Sequence, residues 1–253
     1  MLRWLKSLPL ALPLTLVLAG FGFLLSSCTS GNQAQVRFIH AIQDAGPLDI
    51  DFNGTKEITD IVFLGLQPST GYLAVPAGSD TITGFQTGST SNAVFTNSNV
   101  TLNSGSQYTM VATGFTTTTS SVVILNPVDT NTEPPDGTVD FRAINASPSG
   151  PNALDIYILA NPVTCALGQG SCTATISGLA YQQTSGYVPL NYNSNGSGYT
   201  IYVCTSGSTN PIFSQGPINV GSVSEGSIRT FVLTDAQDVD QLNHSLIVLN
   251  DLN

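Results

Sequence analysis

The chain has 253 residues, only 9% of them charged, and a net charge of −10. That length suits one large domain or two smaller ones, each able to bury an adequate core. So acidic a surface repels phosphate backbones, which argues against a nucleic-acid partner; Ser, Thr, Asn and Gly do most of the solvating instead.

Met1 to Ser7 carries Arg3 and Lys6 with no acid, and an apolar run extends from Leu8 to Leu25. Pro9, Pro13, Gly20 and Gly22 interrupt that run, whereas a spanning helix needs about 20 clean apolar residues. A positive flank, an apolar stretch and small residues before a cut describe an export signal. Leu25-Ser26-Ser27-Cys28 resembles the bacterial lipobox, in which the cysteine thiol receives a diacylglyceryl group and becomes the new N-terminus. The expectation is a lipoprotein signal peptide over 1–27, lipidation at Cys28 and a tether over 28–34. An uncleaved anchor helix and an ordinary signal peptide cut near Ser27 are the alternatives. Acyl chains contribute about 0.8 kcal/mol per buried CH₂, so two or three of them hold a folded domain on a bilayer. Thr29 stands where an aspartate would resemble an inner-membrane retention signal, which favours the outer membrane, facing periplasm or exterior. Cleavage would leave Arg37, Lys56, Arg142 and Arg229 against sixteen acids. No polybasic patch for anionic lipid remains, so the acyl group itself must do the holding.

After the leader, short apolar or alternating segments follow one another, rich in β-branched and aromatic residues and bounded by Gly, Pro, Asn and Ser. VRFIHA (36–41), LDIDFNG (48–54), TITGF (81–85), QYTMVATG (107–114) and SVVILN (121–126) have strand length. No window beyond the leader sustains a 3.6-residue period. PAG and NSGSQ supply turn chemistry. The segments then recur in order. VRFIHA matches FRAINA (141–146); PLDIDFNG (47–54) matches ALDIYIL (153–159). GLQPSTGYLAVPAG (65–78) matches GLAYQQTSGYVPL (178–190), setting Gly71-Tyr72 against Gly186-Tyr187. YTMVATG (108–114) matches RTFVLTD (229–235), and VVILN (122–126) matches LIVLN (246–250). The chain reads as a tandem duplication, all-β, of two immunoglobulin-like or transthyretin-like sandwiches over 35–127 and 138–253. NPVDTNTEPPDG (126–137), with paired prolines and acids, reads as an extended, solvated boundary, placing a linker at 128–137.

VRFIHAIQDAGPLDIDFNG, followed by Gly-Tyr, VPAG and YTMVATG, resembles the bacterial domain-of-unknown-function family 4397, whose opening runs V-R-x-x-H-A-S-P-D-A-P-x-V-D-V-Y-x-D-G. The first copy keeps His40-Ala41 and Asp44 but has Ile42-Gln43 for Ser-Pro; the second keeps Ala146-Ser147-Pro148 but has Asn145 for the histidine. The resemblance implies exported or surface-attached β-rich proteins and no general activity.

His40 is the most tempting catalytic residue, with Asp44, Asp49 and Asp51 close in sequence. A histidine base needs an orienting acid and a nucleophile in reach, and neither G-x-S-x-G nor H-E-x-x-H occurs. Since Asn145 occupies the matching position, a polar residue pinning the strand end to the next turn explains both copies. Asp49 and Asp155 recur in LDI and should face outward or cap a turn; a solvated acidic edge would discourage strand-to-strand association. Asp44, Asp49 and Asp51, or Asp235, Asp238 and Asp240, could furnish part of a Ca²⁺ shell, which needs six to eight oxygens, yet no EF-hand loop accompanies them. Neither a cofactor nor a resident metal is expected. Cys165–Cys172 is the first-choice disulfide and Cys172–Cys204 its rival, either leaving an odd thiol. Tyr72, Tyr181, Tyr187, Tyr192, Tyr199 and Tyr202 could stack on sugars, but Tyr72 and Tyr187 more simply fill sandwich corners with hydroxyls bonded to backbone.

The leading expectation is a non-enzymatic, lipid-anchored envelope protein that binds or spaces something. A glycan-binding or adhesive module is the first alternative. An enzyme centred on His40 comes last.

Overall fold

Along a strand, successive side chains point to opposite faces. In the segment VRFIHA, Val36 and Phe38 lie on one face and Arg37, Ile39 and Ala41 on the other; both sets are buried. FRAINA repeats this, with Phe141 and Ala143 on one side and Arg142, Ile144 and Ala146 on the other, again all buried. A strand covered on both faces cannot lie at the outside of a free-standing sandwich. That sets the architecture.

The computed structural model describes residues 32–117, 122–212, 218–221, 223–236 and 244–251. The expected signal peptide over 1–27 and the expected lipidation site Cys28 lie outside them. Among the described residues no helix is long and apolar enough to cross a membrane. The fold is all-β, arranged as sandwiches. In the first, one sheet holds β1 (Gln33–Ile42), β4 (Leu66–Gln67), β5 (Leu73–Pro76), β8 (Gln107–Gly114), β9 (Val123–Leu125) and β10 (Val128–Asp129). Its other sheet holds β2 (Leu48–Phe52), β3 (Thr55–Ile61), β6 (Gly78–Gln86) and β7 (Phe95–Leu102) in the order β3-β2-β6-β7. In the second sandwich, β11 (Thr138–Ala146), β14 (Val188–Asn191), β17 (Ile228–Asp235) and β18 (His244–Asn250) form a sheet in the order β14-β11-β17-β18. Facing it, β12 (Ala153–Ala160), β13 (Ile176–Ala180), β15 (Tyr199–Thr205) and β16 (Ile218–Val220) run β13-β12-β15-β16.

The same parallel pairing organises both halves: β1 lies alongside β8 and β11 alongside β17. Each sandwich has its own core, centred on Val36, Phe38, Ile50 and Met110 in the first and on Phe141, Ile156, Ile201 and Phe231 in the second. A third core joins them. Ile39, Ala41 and Val111 of the first sandwich pack with Ile144, Ala146, Val232 and Leu249 of the second. The contacts between halves occur level by level: Arg37 and Arg142 share the same two carboxylates. Further along, Thr113, in register with Ala41, donates to the Ala146 carbonyl at 2.7 Å. The two leading strands therefore run in the same sense, and corresponding ends of the two sandwiches lie side by side.

The segment expected to be a solvated linker departs from that expectation at its start. Val128 and Asp129 add a strand to β8, and Asp129 is buried. The cause is electrostatic: two buried guanidinium groups require carboxylates beside them.

Candidate functional site

The middle of the molecule holds a cluster of two arginines and two aspartates. Parallel register sets Arg37 beside Thr109 and Arg142 beside Thr230. The Arg37 Nε–H donates to Thr109 Oγ1 at 2.8 Å and the Arg142 Nε–H to Thr230 Oγ1 at 2.9 Å. Each threonine hydroxyl passes its own proton to a carboxylate, Thr109 to Asp129 at 2.7 Å and Thr230 to Asp251 at 2.6 Å. The guanidinium ends then cross over. Arg37 binds Asp251 and the Asn250 carbonyl, while Arg142 binds Asp129 and the Val128 carbonyl. Each arginine also lies 3.5 Å from the other carboxylate. Tyr72 donates to Asp129 at 2.9 Å and Tyr187 to Asp251 at 2.6 Å, and their rings cover Arg37 and Arg142 at 5.1 and 4.6 Å.

All four charged side chains are 4% exposed or less. Two positive and two negative charges cancel, and the carboxylate oxygens all have donors. Burial works against the Arg37 charge, but Asp251 and Asp129 more than offset it and raise its pKa. Burial, reinforced by the neighbouring carboxylates, pushes the Tyr72 and Tyr187 hydroxyls well above the ordinary tyrosine range. Such a cluster binds its own halves together. No charge is left over for a substrate.

Both hydroxyls donate to carboxylates, which the sequence did not lead one to expect, while the expected backbone bond is present at Tyr187, whose oxygen accepts the Thr130 N–H at 3.3 Å. Tyr199 is buried, stacks edge-on against Phe141 and donates to the Asn191 carbonyl at 2.8 Å.

His40 is fully buried. Its Nδ1 accepts the Ile42 N–H at 3.2 Å and its Nε2 lies 3.1 Å from the Gly46 carbonyl, which makes Nε2 the protonated nitrogen. Burial lowers its pKa. Asn145 repeats both functions: Oδ1 accepts the Ser147 N–H and Nδ2 donates to the Leu179 carbonyl.

Of the two placements expected for Asp49 and Asp155, facing outward or capping a turn, the structure shows the second: both are buried and bind backbone N–H groups. Asp49 receives Lys56 at 2.6 Å and the backbone N–H groups of Asp60 and Gly88, and these donors hold its pKa down. Asp155 accepts the N–H groups of Gly178 and Gly207, both at 2.8 Å. Burial opposes its charge, and these amides prevail and lower its pKa. Asp44 is spent on the backbone and hydroxyls of Thr116 and Thr117. Asp51 is half-buried, with one oxygen lacking a hydrogen-bond partner. Among the described residues no three metal-ligating side chains converge, so the structure does not bring Asp44, Asp49 and Asp51 together. Asp238 and Asp240 lie outside the described residues, while Asp235 accepts from Ser147 Oγ and, at 3.3 Å, from the Ser149 N–H.

Ser147, Asp235 and His244 meet in a way the sequence did not announce. Ser147 Oγ lies 3.0 Å from His244 Nδ1 and gives its proton to Asp235, and His244 Nδ1 is 4.0 Å from that carboxylate. An activated serine needs the imidazole between hydroxyl and acid. Here the serine is in the middle.

Cys165 and Cys172 are joined in a disulfide, with Cα atoms 5.9 Å apart, and Cys204 is a buried free thiol. The bridged loop walls a cavity of about 400 Å³ lined by Ile158, Pro162, Val163, Leu190, Asn191 and Tyr199.

The family described as Domain of unknown function (DUF4397) matches residues 34–157, which cover the first sandwich together with β11 and most of β12. No curated protein matches the chain. Among solved structures, the Bacillus anthracis TIE protein is similar at 8% identity with a TM-score of 0.25, over 87% of this chain and 43% of that one. The chain thus spans under half the length of that protein.

Proposed function

We propose that the protein is a lipid-anchored component of a bacterial cell envelope, built from two tandem copies of the DUF4397 domain, with a structural or binding role and no catalysis. The observation that carries this reading is where the recurring polar residues are spent. Arg37 and Arg142, Thr109 and Thr230, and Tyr72 and Tyr187 all serve the neutral central cluster. His40 and Asn145 both pin backbone. What the two halves share is therefore cohesion. The lipobox-like Leu25–Cys28 and the acidic mature chain support attachment through lipid rather than through charge.

The test is fractionation of bacteria producing the full chain. Mass spectrometry of the membrane-bound protein should find Cys28 diacylated at a new N-terminus, and Cys28→Ser should release the protein from lipid attachment. An unmodified Cys28, or a leader still present on the native protein, contradicts the reading.

A further inference from the structure

The lipid anchor proposed above, combined with the fold, says which end of the molecule meets the membrane. Four peptide links separate Cys28 from Asn32, and an extended chain spans at most about 3.6 Å per residue, or about 14 Å in all. Asn32 is held to one end of the first sandwich, where its carbonyl accepts the Ala77 N–H at 2.8 Å. Beside it the Gln33 carbonyl accepts the Gly105 N–H at 2.8 Å, and Gly105, at φ +75°, closes the turn between β7 and β8. The start of β1, the β5–β6 corner and the β7–β8 turn therefore form a single foot.

That foot is uncharged. Asn32, Gln33, Pro76, Gly78, Asn103 and Ser104 are among its exposed residues, in a chain whose acids greatly outnumber its bases. The corresponding end of the second sandwich differs. There Glu133, Asp136 and Glu225 are exposed around the start of β11, and Gly226 donates to the Thr138 carbonyl at 2.9 Å. Anionic headgroups repel those acids within a Debye length and leave the neutral foot alone.

We propose that the foot at Asn32, Pro76–Gly78 and Asn103–Ser106 rests on the lipid headgroup surface, the molecule tilting so that the acidic start of the second sandwich, which lies beside the foot, stands off the bilayer. Because the leading strands run in the same sense, the far ends of both sandwiches are then presented together, away from the membrane. The ten residues of β1, at about 3.3 Å each, put those ends about 30 Å farther out.

The chain's single tryptophan is Trp4, ahead of Cys28, so the mature protein offers a dark background for tryptophan probes. Ser104 lies in the foot and Thr90 in the β6–β7 turn at the opposite end; lipidated Ser104→Trp and Thr90→Trp proteins are reconstituted into vesicles carrying a nitroxide on the lipid headgroup. Vesicle flotation is scored first, then fluorescence. The proposal expects both variants to float, with loss of fluorescence for Ser104→Trp and none for Thr90→Trp. Protein that floats with Ser104→Trp unquenched, or with Thr90→Trp quenched instead, overturns the orientation and leaves the anchor standing. Protein that fails to float overturns the anchor and the orientation with it.

Discussion

His40 and Asn145 perform one task with different chemistry, and that equivalence can be measured. Each accepts the backbone N–H two residues on and donates to a distant carbonyl. His40→Asn should therefore stay within about 1 kcal/mol of the parent in chemical denaturation. His40→Ala orphans the Ile42 N–H and the Gly46 carbonyl and should cost about 1–3 kcal/mol. The central cluster is more sensitive. Arg37→Met leaves Asp251 buried without its closest cation and should cost about 3–5 kcal/mol. Adding Asp251→Leu removes the stranded charge, so a double-mutant cycle should return a coupling of about 0.5–3 kcal/mol. Some of this cluster was legible in the sequence. Arg, Thr and Gly-Tyr recur at matching positions, and the chain has only six lysines and arginines to begin with. The aspartates were not legible, because Asp129 follows Asn126 by three residues while Asp251 directly follows Asn250. Aligning the recurring segments sets them out of register.

At the scale of elements, the informative strands are β1 and β11, because each has a core on both sides. Their alternation is visible in VRFIHA and FRAINA, and so is the strand assignment. What local pattern cannot reveal is that the second face, Ile39-Ala41 and Ile144-Ala146, meets another sheet. A free sandwich would leave that face in water, and only contacts between the halves, such as Val111 and Thr113 against Ile144 and Ala146, remove it. The same long-range demand explains why the supposed linker yields a strand at Val128–Asp129. Ile144→Ala tests the shared core directly. The residue is 0% exposed, and truncating a buried isoleucine should cost about 2–5 kcal/mol in denaturant unfolding. A loss under about 0.5 kcal/mol, the size of an ordinary surface change, would mean that the sheets are not packed together.

For the whole molecule, the perturbed groups define a window of pH stability. Burial lowers the folded pKa values of His40 and His244, so the unfolded chain binds protons first, and stability declines as pH falls below about 6.5. Asp44, Asp49 and Asp155 are also lowered, which steepens the loss below about pH 4. At the alkaline end, Tyr72 and Tyr187 are raised, so their contribution is present below about pH 10 and is lost above it. Burial also raises the Cys204 thiol, whose contribution is lost above about pH 8.5, so melting temperature against pH should form a plateau from about 6.5 to 8.5, and His40→Asn should flatten its acid shoulder.

The central claim is that reciprocal charge pairing and a shared core make one cooperative body of two sandwiches. Scanning calorimetry of the Cys28→Ser protein lacking residues 1–27 tests it most directly. The account predicts a single transition with equal calorimetric and van't Hoff enthalpies, moving as a unit to lower temperature in Arg37→Met. Two resolved transitions in the parent, or an Arg37→Met effect confined to one of them, would contradict it.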